Sequence, residues 1–413
     1  DQVGGTNGEN MGRRFRPGFF FCLNNCLYEF EATLDMDGFG TGNAKDATGE
    51  NVGSILQRGV INFHLENLNP FLPTMQVGME VQNSMSSARA GSSATGSQAE
   101  YDLHTRNNGF NTGRTGNGIS LFWDDRSLSG IGIPGRISRF NLGMGNIAEG
   151  DDGLSSFTDR KDFNAYLNIQ PFSQIKNMWI RGLSFEMGAW FCNADNRALE
   201  NGCDRYRVRD HGDGGRQTLF DSGAGSIGDG LHIGLTPGII WNIGPYTLRA
   251  MAHRQRSEDR GGTPGQKKGD SWLIGHDLFL WSPKGFLTGS SNTPGSILFG
   301  THFERVDMEV GCNGNTGISC ASVVAAGGSA QLNQFHRNRI LLREVDLWYF
   351  MAPRMSVGVN WLWYDASNLR TGANQAAHNL GVCDTPNVTP ATGCRNGKGG
   401  DWHTLFLNWR YTF

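Results

Sequence analysis

Cysteines in local pairs, and arginines and histidines on alternate positions of extended segments, are the residues of this 413-residue chain with chemistry in them. The eight cysteines fall as Cys22 with Cys26, Cys192 with Cys203, Cys312 with Cys320, and Cys383 with Cys394. The last three pairs bracket segments rich in Asn, Gly, Asp or Thr. An even count in short brackets predicts disulfide staples across loops in an oxidising compartment. Cys22 and Cys26 pose a different problem: in an extended strand their Cα atoms would lie beyond disulfide reach. That bond requires a turn at Leu23-Asn24-Asn25. No CxxC or CxxCH is present and His is scarce near the three loop pairs, so zinc and covalent haem are not expected.

Catalytic patterns are missing. The chain has no GxSxG, no HExxH, no P-loop and no dinucleotide turn in a proper setting, so no enzyme and no cofactor is expected. The runs Asp151-Asp152-Gly153 and Asp210 to Gly215 match no EF-hand loop; loop calcium stays open beside a plain solvated reading. Arginine and histidine suit another task. A guanidinium stays charged and offers a fork of donors, which makes it a guide for anions.

The elements that must carry these groups are strands. Period-two alternation recurs from residue 27 to the last residue. Tyr28, Phe30, Ala32 and Leu34 oppose Glu29, Glu31, Thr33 and Asp35; Ile61, Phe63 and Leu65 oppose Arg58, Asn62, His64 and Glu66. Successive strand residues point to opposite faces, so each such segment has an apolar side and a polar side. The segment Leu405 to Phe413 is the sharpest case: Leu405, Leu407, Trp409, Tyr411 and Phe413 share one face and Phe406, Asn408, Arg410 and Thr412 the other. An aromatic-rich apolar face against a polar one is what lipid on one side and water on the other select.

Composition agrees. Only 38% of residues are hydrophobic, and no run approaches the roughly 20 apolar residues of a spanning helix. A barrel needs an apolar outer face only. The 59 glycines suit bends and loops, and the 11 Trp and 25 Phe suit interfacial girdles. Asp1-Gln2-Val3-Gly4-Gly5 reads as a mature N-terminus from which an export signal has been removed.

Short turns at Gly244-Pro245 and Ala352-Pro353-Arg354 alternate with long polar segments at 193–229, 310–337 and 366–400. This predicts one domain over 1–413: an all-β, transmembrane antiparallel β-barrel of 14–16 strands, with short periplasmic turns and long extracellular loops. Residues 1–26 read as a lead-in and 83–117 as a loop that could fold inward as a constriction. Fourteen strands are countable, and an even number places both termini in the periplasm. Such a barrel is wide enough for an aqueous lumen. By parity, Arg58, His64, Arg139, Arg249 and His253 face that lumen with Asn62, Asn141 and Arg410. Glu29, Glu31, Asp35, Glu66, Glu80, Glu186, Glu344 and Asp346 share it, so the wall is mixed rather than basic. Arg106 and Arg114 lie in 83–117, either in the constriction or as surface loop charges. Arg205, Arg207 and Arg209 alternate beside Cys203, as a vestibule, a lipopolysaccharide patch or a solvated face.

Several segments resemble one family. Gln57 to Phe63 is similar to the Arg-led second strand of the phosphate-selective (O/P-type) porins of Gram-negative outer membranes. Lys161-Asp162-Phe163 with Pro171-Phe172 resembles their KDF…PF hairpin. Gly182 to Phe185, Ile243 to Tyr246, Phe286 to Gly289 and Gly300 to Val306 resemble further phrases in the same order. The resemblance implies a homotrimeric porin whose inward loops narrow a lumen lined by basic residues, with small hydrophilic or anionic solutes, outer-membrane lipid and lipopolysaccharide as partners and no nucleic acid. Two departures stand out: the family's hairpin with a PFG phrase is missing before residue 117, and its paired arginines are reduced to Gln57-Arg58. A structural barrel that sheathes or holds a periplasmic partner protein would share the same wall pattern. A secreted β-rich enzyme or adhesin would instead bury the Leu405–Phe413 face in protein.

Overall fold

A computed structural model of the chain describes residues 18–34, 56–82, 115–146, 162–194, 207–209, 218–221, 230–259, 266–283, 293–311, 335–352, 355–367 and 400–411. Seventeen strands occur among them: β1 (Gly18–Leu23), β2 (Tyr28–Leu34), β3 (Leu56–His64), β4 (Thr74–Gln82), β5 (Thr115–Ser127), β6 (Arg136–Asn146), β7 (Asp162–Gln170), β8 (Leu183–Ala194), β9 (Arg207–Arg209), β10 (Thr218–Asp221), β11 (Gly230–Ile243), β12 (Tyr246–Asp259), β13 (Gln266–Trp281), β14 (Ile297–Gly311), β15 (Phe335–Ala352), β16 (Met355–Ser367) and β17 (Gly400–Tyr411). All but β9 and β10 join one 15-stranded sheet in sequence order, β8 pairing directly with β11. Every ladder is antiparallel. The sheet is the wall of a transmembrane β-barrel. No described helix is long and apolar enough to cross a membrane.

Strict meander order sorts most connections; the exceptions are 260–265, brief yet at the long-connection end, and 282–296, longer yet at the short-turn end. The links β1–β2, β3–β4, β5–β6, β7–β8, β11–β12 and β15–β16 are short and fall at one end. Segments 35–55, 83–114, 147–161, 195–229, 312–334 and 368–399 all connect strands at the other. Turn chemistry fits. Gly244, at φ +55°, allows the two-residue turn between Ile243 and Tyr246. Between β7 and β8, Asn177 caps a single helical turn, α1 (Met178–Arg181), by accepting from the Trp179 amide.

The first strand departs from the expected lead-in. Gly18–Leu23 pairs with β2, from Gly18 opposite Thr33 to Leu23 opposite Tyr28. Its sequence, GFFFCL, is apolar on both faces, which hides the period of two. The main sheet therefore holds 15 strands rather than 14. An odd count also changes the ends: β1 starts at the long-connection end while β17 finishes at the short-turn end, so the sheet's two ends do not share one side. No ladder joins β1 to β17 among the described residues.

Burial is inverted relative to a water-soluble domain. Lining one face are Asn62, Gln76, Ser120, Asn141, Glu186, His302, Glu304, Glu344, Asp346 and Asn360, all buried. The other face exposes Ile61, Leu142, Phe185, Ile239, Ile274, Phe303, Val345, Leu347 and Leu407. Leu273, Val306, Ile340, Leu342, Trp348 and Leu362 are buried on the first face too, the inner one, so the inner row is mixed while the outer row is apolar, as hydrocarbon outside requires. Trp281, Tyr349 and Trp409 lie in one cross-strand band at the short-turn end, through Ile297 and Val357. Such aromatics mark a membrane interface.

Candidate functional site

The interior face of the wall is the candidate site, and sheet register fixes its members. On β2 to β4, Asn62 donates to Glu29 (2.7 Å) and accepts from Gln76 (2.7 Å). One pleat nearer the turn, His64 Nδ1 lies 2.9 Å from Glu66 Oε1, and its Nε2 lies 3.8 Å from Glu29. Thr74 also donates to Glu66 (2.7 Å). Glu66 sits in the 3-10 turn between β3 and β4, outside the spanning strands. Partial burial opposes its ionisation, but the Thr74 and His64 hydrogen bonds, its own backbone N–H and the charge on His64 outweigh that and hold its carboxyl below the ordinary value.

Further round, Arg139 forms a two-pronged pair with Asp124, Nε to Oδ1 at 2.9 Å and the terminal nitrogen to Oδ2 at 2.8 Å, and lies over the Phe122 ring at 5.3 Å. Its charge is therefore committed to a neighbour. Tyr166 donates to Glu186 (2.7 Å) and accepts from Asn168 (3.3 Å). His253 sits beside Thr236, Nδ1 to Oγ1 at 2.8 Å, and reaches Gln255 with Nε2 at 3.4 Å. Arg249 shares that face; no ion pair involves it among the described residues. Across β12 to β15 its neighbours in one row are Gly275, His302 and Glu344.

That row leads into the most densely charged part of the wall. His302 Nε2 lies 3.4 Å from Asp346 and 3.6 Å from Asp277. Asn360 donates to Asp346 and, at 3.5 Å, to Glu344; its oxygen accepts from Asn408 at 2.6 Å. Glu304 faces inward one pleat away. Glycines make room for these groups. A Cβ on Gly275 would fall 2.6 Å from His302 Nδ1, one on Gly238 2.5 Å from Glu186 Oε1, and one on Gly358 would collide with the Trp348 indole. Large inward side chains thus lie flat along the wall over cross-strand glycines, instead of crossing the interior.

Of the residues that sequence parity assigns to the lumen, Asn62, His64, Arg139, Asn141, Arg249, His253, Glu29, Glu31, Glu186, Glu344 and Asp346 share this face of the sheet. Parity missed Asp124, Asp277, His302, Glu304 and Asn360. Each lies on a segment recognised as a strand, and extending the same alternation along β13, β14 and β16 would have found four of them. Arg58 occupies a β3 position opposite Thr33, but its side chain lies outside the described residues, as does that of Arg410. Arg106, Arg114 and most of the 83–117 segment are outside them too, as are both acidic glycine-rich runs; residues 115–117 begin β5. Among the described residues no group of three or more His, Cys, Asp and Glu forms a metal cage.

Of the cysteine pairs, Cys22–Cys26 is bonded, with Cα atoms 4.6 Å apart. Asn24, Asn25 and Cys26 take φ of 52°, 53° and 59°, the turn that the bond demands. Cys192 lies on β8, with its side chain outside the described residues. Cys203, Cys312, Cys320, Cys383 and Cys394 lie outside them altogether. In the segment after β8, β9 and β10 form a hairpin separate from the barrel sheet, and Arg207 and Arg209 belong to it.

An antiparallel meander with an apolar outside and a charged, hydrogen-bonded inside defines the class: transmembrane β-barrels with a polar interior. The chain is similar in fold to an anion-selective porin from Comamonas acidovorans, at 11% identity, with a TM-score of 0.51 over 96% of this chain and 89% of that one. It is also similar to OmpT, an outer membrane protein of Vibrio cholerae, in a trimer form, at 9% identity and a TM-score of 0.49 over 96% of this chain and 91% of that one. At 11% identity the likeness to the Comamonas acidovorans protein shows the fold alone. No family model matches the chain, and no curated protein matches it. The phosphate-porin resemblance therefore stands on its motifs alone.

Proposed function

We propose that this protein is a porin of a Gram-negative outer membrane, a homotrimer that lets small hydrophilic solutes diffuse passively and catalyses no reaction. The two-sided wall carries the reading: charged and amide side chains line the interior of a barrel whose exterior is apolar. Trimerisation and the lipid partners come from the family resemblance. The anion or phosphate preference implied by that resemblance gains nothing from the described wall. There Glu29, Glu31, Asp124, Glu186, Asp277, Glu304, Glu344 and Asp346 face three arginines, Arg136, Arg139 and Arg249, and two of these are already paired, Arg136 with Asp125 and Arg139 with Asp124. We therefore favour a weakly selective channel. A strong anion preference would have to come from Arg58, Arg106 and Arg114. The Cys192–Cys203, Cys312–Cys320 and Cys383–Cys394 staples complete the proposal; peptide mapping with and without reductant tests them.

The deciding experiment is single-channel recording in a planar bilayer, with reversal potentials under chloride and phosphate gradients. Stepwise conductance with a small reversal potential is expected. A barrel that inserts but never conducts would favour the sheath reading, and a strongly anionic reversal would restore phosphate selectivity.

A further inference from the structure

The exterior of β12 to β15 carries charge where a lipid-facing wall should be bare. Arg254 and Arg256 on β12, Asp270 on β13, Arg305, Asp307 and Glu309 on β14, and Arg337 and Arg339 on β15 lie in neighbouring rows of the outer face. Parity fixes that side: Trp272, Ile274, Phe303, Val345 and Leu347 continue the same face toward the short-turn end, all exposed. The rows fall at the long-connection ends of their strands. β14 has 15 residues and β15 has 18, whereas a tilted strand needs about 9–11 to span the hydrocarbon. Their upper portions therefore stand above it. Trp272, opposite Arg305, and Trp363, with Arg343 over its ring at 4.8 Å, mark the level at which the apolar band gives way to charge.

The pairing inside the patch leaves it positive. Asp307 is shared by Arg305 Nε (2.6 Å) and Arg339 Nε (2.9 Å), and Asp270 by Arg254 Nε (3.2 Å) and Arg256 (3.5 Å), while Glu309 meets Arg337 (2.9 Å). Five guanidiniums against three carboxylates leave a surplus of two positive charges among these groups; beyond them, Arg343 on β15 and Asp365 on β16 continue the same face with opposite charge. Arg305, Arg339 and Arg254 give their Nε edge to a carboxylate, so the carboxylates position the forks while the terminal amino groups keep donor capacity. A fixed row of guanidinium forks suits phosphate, which accepts two parallel hydrogen bonds from each.

We propose that this outer face of β12–β15 binds the phosphates of lipopolysaccharide, a phosphorylated glycolipid packed against the barrel at the outer-leaflet headgroup level. The site rests on the barrel's orientation and not on conduction, so its failure leaves the channel reading intact. Full-length protein in non-ionic detergent would be titrated with bisphosphorylated lipid A, monophosphoryl lipid A and phosphatidylcholine. The expected order is tight, weaker and negligible binding. The triple variant Arg254→Gln, Arg337→Gln, Arg339→Gln should lose tenfold or more in lipid A affinity at unchanged single-channel conductance. Should the triple variant fail to fold, Arg337→Gln alone, at an exposed position, should still weaken binding several-fold. Undiminished lipid A binding by the variants, or equal binding of phosphatidylcholine, would overturn the proposal. So would displacement of lipid A by millimolar inorganic phosphate, which would make this a free-phosphate site. Loss of oligomer with lipid A binding intact would overturn it as well, assigning the face to contact between copies.

Discussion

The two faces of β15 differ as much as two proteins might. Leu347 is 50% exposed and its neighbour Asp346 is 0% exposed, although one peptide bond separates them. Outward, Val345, Leu347 and Tyr349 meet Thr301, Phe299 and Ile297 of β14. Inward, Glu344, Asp346 and Trp348 meet His302, Gly300 and Leu298. The outer row satisfies no hydrogen bond and needs none in hydrocarbon. The inner row is tied into His302, Asn360 and Asn408. A side chain is acceptable here according to which solvent its row meets, so the same substitution has opposite consequences one residue apart.

Placing a charge on the wrong row should have the largest effect. Val345→Arg puts a guanidinium between the aromatic bands on the lipid face and should cost about 2–4 kcal/mol of folding stability, read by denaturant titration into lipid vesicles. A loss below about 0.5 kcal/mol would mean that this row meets water or protein. Gly358→Val comes next. Its side chain would collide with the Trp348 indole lying over that glycine, and repacking should cost about 1–3 kcal/mol in the same assay. A neutral result would show that Trp348 can swing into the interior at no cost.

Inner-row changes should alter permeation more than folding. Glu344→Gln keeps the shape, removes one interior charge and should move the reversal potential toward anions by some millivolts, with the unfolding midpoint nearly unchanged. No shift would place Glu344 away from the ion path.

The smallest effect concerns Glu66. Because its folded-state carboxyl is held below the ordinary value, its stabilising contribution is present above the ordinary carboxylate range. It is lost as pH falls through that range to the lowered value. The stability gap between wild type and Glu66→Gln should therefore narrow from neutral pH to about pH 3. A gap that widens on acidification would contradict the His64–Glu66–Thr74 arrangement.

Where strands alternate cleanly, the sequence was enough. Tyr28 to Leu34, Phe163 to Ile169 and Leu405 to Trp409 announced their faces because a period of two needs only a row of apolar and a row of polar residues. It was silent for Gly18–Leu23, where three consecutive phenylalanines mask the alternation. The charges of β12–β15 were illegible for another reason: Arg254, Arg339 and Asp307 fit an apolar outer row only once the strands are seen to outrun the membrane thickness.

By itself, then, the sequence determined the barrel, the sidedness of its strands and the distribution of short and long connections, since these follow from local periodicity and turn chemistry. Only the tertiary structure decided which inward residues meet. That Arg139 is spent on Asp124, that His302 lies over Gly275 between Asp277 and Asp346, and that Trp348 covers Gly358 are consequences of cross-strand register. Register joins residues far apart in the chain, and no local pattern encodes it.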